Sequence, residues 1–131
     1  MTILIGYKPT PRGEAAFEAG LVEAAARGEE AVVLNSPRRG GRTAAGLLDA
    51  DASQALVDRG REAGVIVRVD HADHGDELVD VFNEAVERTG ARLVVIGLKR
   101  RSPVGKLVMG SSAQRLLLEC EAPILAVKPP R

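Results

Sequence analysis

Five short apolar runs punctuate the chain: TILIG at residues 2–6, AVVLN at 31–35, VIVRV at 65–69, LVVIG at 93–97 and PILAV at 123–127. Each has the length and branched aliphatic content of a buried strand. Their starts fall roughly 30 residues apart, the length of one strand and its crossover helix. The intervening segments change to a helical period. Phe17, Leu21, Ala24 and Ala25 stand at i, i+4, i+7 and i+8, with Glu14, Glu18 and Glu23 at other positions. Leu78, Val81, Phe82, Ala85 and Val86 repeat that stripe more cleanly. Gly90 is placed to stop this helix and Gly64 the one before it. The helix between the second and third runs is expected to start near Asp49 or Asp51, after the Gly/Arg-rich loop SPRRGGRTAAG.

Strands alternating with helices of this length predict an α/β fold, an open parallel sheet covered by helices on both faces. Its strand order can be argued from strand chemistry. VIVRV alternates, with Arg68 on one side, as a half-exposed edge strand would. PILAV opens with Pro123, which cannot donate to a ladder and suits an edge or a strand start. TILIG and LVVIG read as central. The order 3-2-1-4-5 satisfies all of this, whereas 2-1-3-4-5 would bury VIVRV. In the first order the winding reverses between strands 1 and 4. Open sheets of this kind take ligands beyond the carboxyl ends of their strands at such a reversal. Gly6, Tyr7 and Lys8 leave strand 1 there, and the loop from Gly97 leaves strand 4.

Composition narrows the partners. The 131 residues suit one domain, read here as residues 1–131. Lys and Arg total 18 and so do Asp and Glu, so no bulk charge draws the chain to nucleic acid or a membrane surface. Aromatic residues make up 2%, too few for base-stacking platforms. Cys120 is the single cysteine, which rules out an internal disulfide and suits a reducing, cytoplasmic setting. No apolar stretch is long enough for a transmembrane helix, and the N-terminal residues lack the pattern of a signal peptide.

Against this neutral background, VIGLKRRSPVGKLVMGSSAQ (residues 95–114) stands out. It carries Lys99, Arg100, Arg101 and Lys106 and no acidic residue. Gly97 allows a sharp turn and a close approach. Ser111, Ser112, Ala113 and Gln114 have the S-x-x-Q form of a capping box, with Ser111 as N-cap, so Gly110-Ser111 opens the last helix. Free amides at that helix start, serine hydroxyls and neighbouring cations form a setting for a phosphate. The same residues also fit a plain cap beside solvated cations. Met109 reads as packing. Arg38, Arg39 and Arg42 are either a solvated surface or further anion contacts.

Two common phosphate motifs are absent. Gly105-Lys106 is followed by Leu107 and position 100 is Arg, so there is no Walker A loop; GYKPTPRG after the first strand is not G-x-G-x-x-G. The arrangement instead resembles the universal stress protein family over essentially the whole chain. ATP-binding members of that family carry G-x-x-G, nine residues, then G-[ST] after the fourth strand. Gly97 matches the first glycine and Gly110-Ser111 the final pair, while Arg100 replaces the second glycine. Where such members usually place an Asp near adenine and metal, this chain has Lys8.

The resemblance implies a sheet of order 3-2-1-4-5 and a stress-response or regulatory protein that binds ATP or a related adenine nucleotide. It implies a site built from Gly6, Tyr7, Lys8, Gly97, Arg100, Arg101, Lys106, Gly110, Ser111 and Ser112. It also implies a homodimer paired through the last strand, residues 123–128, an edge that invites pairing in any case. Lys8 gives Mg²⁺ no carboxylate, and Arg100, Arg101 and Lys106 offer the phosphates an alternative counter-charge. The alternative function is a protein-interaction module indifferent to nucleotide.

The remaining candidates are weaker. His71 and His74 with Asp70, Asp73 and Asp76 have loose H-x-x-H spacing, and the acids fit a helix start near Asp73 or His74 better than a metal site. Cys120 has no activating base adjacent in sequence and reads as a small buried group. No G-x-S-x-G, H-E-x-x-H or evident Ser/His/Asp set indicates hydrolysis, so an enzyme is at most a slow ATPase.

Overall fold

The computed structural model describes residues 1–35, 48–71, 78–98 and 111–129, with the backbone alone at 71, 111 and 112. Five strands, β1 (Thr2–Gly6), β2 (Glu30–Asn35), β3 (Val67–His71), β4 (Ala91–Gly97) and β5 (Ile124–Val127), form one parallel sheet in the order β3-β2-β1-β4-β5. Four helices connect them: α1 (Pro11–Arg27), α2 (Ala50–Glu62), α3 (Leu78–Thr89) and α4 (Ser111–Glu119). The expected order holds, with β3 and β5 at the edges and β1 beside β4 at the reversal.

Strand periodicity explains the two layers of core. Ile3, Ile5, Ala31, Val33 and Val95 meet Phe17, Leu21 and Leu56 of α1 and α2 on one face. Leu4, Val32, Leu34, Val94 and Ile96 meet Val79, Phe82, Ala85 and Leu116 of α3 and α4 on the other. Because both faces of β1 are covered, its run is apolar throughout rather than alternating. Arg68 pairs in register with Val32 and is exposed on the α3/α4 side, beyond the cover of those helices.

Local chemistry sets the ends. Thr10 caps α1 by accepting from the Gly13 amide at 3.1 Å, and Pro11 occupies the first turn, where its missing N–H has no partner to lose. Asp49 caps α2, accepting from the Ala52 amide at 2.7 Å. Gly64 and Gly90 adopt left-handed φ values of 76° and 69° at helix ends, as their places in the sequence predict. The third strand begins two residues later than its apolar run. Val65 donates to the Gly60 carbonyl at 2.8 Å, so it closes α2 before the ladder starts. Pro123 likewise precedes β5, where its carbonyl accepts from the Val94 amide at 2.9 Å. Asn83 of α3 ties down the end of α4, donating to the Glu119 carbonyl and accepting from the Glu121 amide. The expected start of α3 at Asp73 or His74 lies outside the described residues.

Candidate functional site

The carboxyl ends of β1 and β4 are the place to build a site. Gly6 ends β1; a Cβ there would stand 2.8 Å from Cζ of Phe82, so α3 packs on this strand only because a side chain is missing. The Tyr7 amide extends the ladder by one bond to the Leu34 carbonyl, at 3.1 Å. Tyr7 then turns its ring into the α1/α2 core. It is 6% exposed and edge-on to Phe17 with centroids 6.0 Å apart. Its hydroxyl donates to Oε1 of Glu14. Oε2 of Glu14 accepts from Arg59 Nη1 at 2.8 Å, and Arg59 also pairs with Glu18 while lying 4.6 Å above the Phe17 ring.

This cluster shifts its own titrations. Burial pushes the Tyr7 phenol well above its ordinary range, with the Glu14 bond and charge adding to the effect. Burial also pushes Glu14 upward, but the bonds from Tyr7 and Arg59 outweigh it and hold the carboxyl below its ordinary value. Arg59 is raised for the reciprocal reason: burial lowers it, and its bonds to Glu14 and Glu18 more than compensate. The Tyr7 side chain is therefore committed to the core, while its main chain remains at the strand exit.

Two glycines draw the neighbouring segments together. A Cβ on Gly13 would lie 1.8 Å from the Lys8 carbonyl oxygen, so the β1–α1 turn closes directly onto α1. A Cβ on Gly97 would lie 2.0 Å from the Arg12 carbonyl oxygen and 3.0 Å from Arg12 Cβ. The close approach that Gly97 permits is thus made, on that side, by the first turn of α1. Lys8, Arg12 and Gly97 consequently share one corner of the molecule. Asn35, fully buried at the end of β2, braces it: Nδ2 donates to the Tyr7 carbonyl at 3.2 Å, and Oδ1 accepts from the Leu48 amide at 2.9 Å. Arg12 and Asn35 are the residues that sequence reasoning missed. For Asn35 the signal was a polar residue closing an apolar run; for Arg12 there was none in the spacing.

The other candidates divide. Ser111 is the first residue of α4, and Gly110 before it lies outside the described residues. Ser111 and Ser112 are placed through their backbone. Lys99, Arg100, Arg101, Lys106 and Met109 also lie outside the described residues, as do Arg38, Arg39, Arg42, Asp73, His74 and Asp76. Asp70 forms an ion pair with Arg88 of α3. Cys120 packs against the α3/α4 core but is half-buried rather than buried as expected. Among the described residues no group of three or more His, Cys, Asp or Glu could hold a metal ion. Among them, too, no helix is long and apolar enough to cross a membrane. Taken together, the main chains of Lys8, Arg12 and Gly97 meet beside the exits of the central strands, at the same sheet end as the start of α4. That is a setting for an anion.

The sequence model of the Universal stress protein family matches residues 1–128. A universal stress protein of Mycolicibacterium smegmatis (strain ATCC 700084 / mc(2)155) is 36% identical over 127 residues, covering 97% of each chain. A universal stress protein from Archaeoglobus fulgidus superposes with a TM-score of 0.79 at 28% identity, covering 98% of each chain. The structure of the universal stress protein from Archaeoglobus fulgidus in complex with dAMP superposes at 0.72 with 24% identity, again over 98% of each chain.

Proposed function

The chain belongs to the universal stress protein family, and from that premise we propose that it is a stress-response regulator that binds ATP or a related adenine nucleotide and acts as a cytoplasmic homodimer. The observation that carries this reading is the corner shared by Lys8, Arg12 and Gly97 at the reversal of the sheet. The α4 start lies at the same end of the sheet. The proposed site comprises Gly6, the main chain of Tyr7, Lys8, Gly97, Arg100, Arg101, Lys106, Gly110, Ser111 and Ser112. Amides and hydroxyls at the helix start take the phosphate, and the cations of residues 99–106 balance its charge. The dAMP complex of a structural neighbour supports the choice of an adenine nucleotide.

Calorimetric titration with ATP, ADP and AMP tests the reading. The expected result is saturable heat, with Arg101→Ala and Ser111→Ala each weakening binding about tenfold while the thermal transition of the free protein is retained. No heat at millimolar nucleotide contradicts it.

Homodimerisation is supported by β5, a half-exposed edge strand, and by Leu118 of α4, 84% exposed. Those same surfaces favour the second reading, an interaction module whose partners are captured equally with and without ATP.

A further inference from the structure

Asn35 ends β2 beside Val33 and Leu34 and is as deeply buried as they are, with 0% of its surface exposed. A buried amide costs free energy unless its polar ends are bonded. Here Nδ2 donates to the Tyr7 carbonyl at 3.2 Å, and Oδ1 accepts from the Leu48 amide at 2.9 Å, one residue before the Asp49 cap of α2. The Tyr7 bond falls at the end of the ladder. Among the described residues, the last main-chain bond between β1 and β2 runs from the Tyr7 amide to the Leu34 carbonyl, at 3.1 Å. The next acceptor along the chain is the Tyr7 carbonyl, and a side chain holds it. Because the peptide is planar, holding that oxygen fixes the whole Tyr7–Lys8 peptide unit. The Lys8 carbonyl then accepts from the Thr10 amide at 2.7 Å, and Thr10 caps α1, whose first turn lies against Gly97. A shift of the Tyr7 carbonyl is therefore passed directly to the corner where the site is built.

We propose that Asn35 is the positioning residue of the nucleotide site: its amide sets where the main chain leaving β1 stands, and thereby the affinity for the ligand. This role rests on the nucleotide reading above and adds to it the residue that arranges the site. Asn35 has no exposed surface with which to touch a ligand, so it acts through the Tyr7 main chain. The Tyr7 ring is anchored separately, through Glu14, and that anchor does not fix the peptide that follows. Without Asn35 the Tyr7 carbonyl loses this bond, and the strand exit must be ordered when the ligand binds. Ordering at that moment is subtracted from the binding free energy, which a pre-arranged exit avoids.

The test is calorimetry of the full chain with ADP, at a temperature below the melting transition of every variant. Asn35→Leu keeps the size of the side chain and removes both bonds; it is expected to weaken ADP about tenfold. Asn35→Asp can restore both bonds only when protonated, with its O–H donating to the Tyr7 carbonyl. Its affinity, taken as a ratio to the wild type at the same pH, should rise as pH falls, while that of Asn35→Leu stays low. The ratio removes the titration of the ligand and of other groups, among them His71, the register partner of Asn35 on β3. Leu56→Ala in the α1/α2 core controls for stability alone: it should melt at a lower temperature yet bind ADP as the wild type does. Wild-type affinity in Asn35→Leu, an Asn35→Asp ratio indifferent to pH, or an equal loss in Leu56→Ala overturns the proposal while leaving the nucleotide reading intact. An absence of ADP binding by the wild-type chain overturns the two together.

Discussion

Tyr7 shows how a residue's place in the sequence and its job can diverge. It stands at the exit of β1, where a ligand contact is expected, yet its ring fills the α1/α2 core and its hydroxyl is held by Glu14. The sequence could not show this, because Glu14 is one helical turn into α1 and Arg59 comes from another helix altogether. The cluster has a pH signature. Tyr7 is the single tyrosine, so ultraviolet absorption reads its ionisation alone. Its folded pKa lies above the ordinary value of 10.0, so its contribution to stability is complete below that pH and declines as pH rises beyond it. Phenolate absorbance should therefore appear only together with alkaline unfolding. A phenolate that forms near pH 10 in the folded chain would contradict the burial of this hydroxyl. Glu14 behaves oppositely. Its folded pKa is below the ordinary 4.5, so its contribution is full above that pH and is lost as pH falls through the folded value. Glu14→Gln should flatten the acid limb of stability measured by urea unfolding, and an acid limb left as steep would contradict the bonds this carboxylate accepts.

At the scale of elements, the strands were legible because a doubly covered parallel strand must be apolar on both sides, as TILIG and AVVLN are. The two edges were legible from Arg68 and Pro123 for the opposite reason. Strand ends were less so: Val65 has the composition of β3 but is used to finish α2. The glycines carry a further lesson. Gly97 reads in sequence as room for a ligand, and in the fold it is also room for α1. Gly97→Ala should thus act on the free protein, destabilising it by about 1–3 kcal/mol through overpacking against the Arg12 main chain. Thermal unfolding without ligand checks this; an unchanged midpoint would show that α1 does not press on the end of β4.

For the whole molecule, sequence rhythm and strand chemistry were enough for layer structure and strand order, and the spacing of Gly97 from Gly110-Ser111 was enough for the family. The corner formed by Lys8, Arg12 and Gly97 was not legible, because it depends on two missing side chains in segments far apart in the chain. An exposed β5 edge predicts that the chain sediments as a dimer at micromolar concentration, and a proline at Ala126 should shift it toward monomer; a monomer at all concentrations would remove that edge from the account. Binding of an adenine nucleotide above the junction of β1 and β4 is checked by backbone amide chemical shifts during titration with ADP. Shifts should concentrate at residues 6–13 and 97–114 and saturate together. Saturating shifts confined to other regions, or none at millimolar nucleotide, would contradict it.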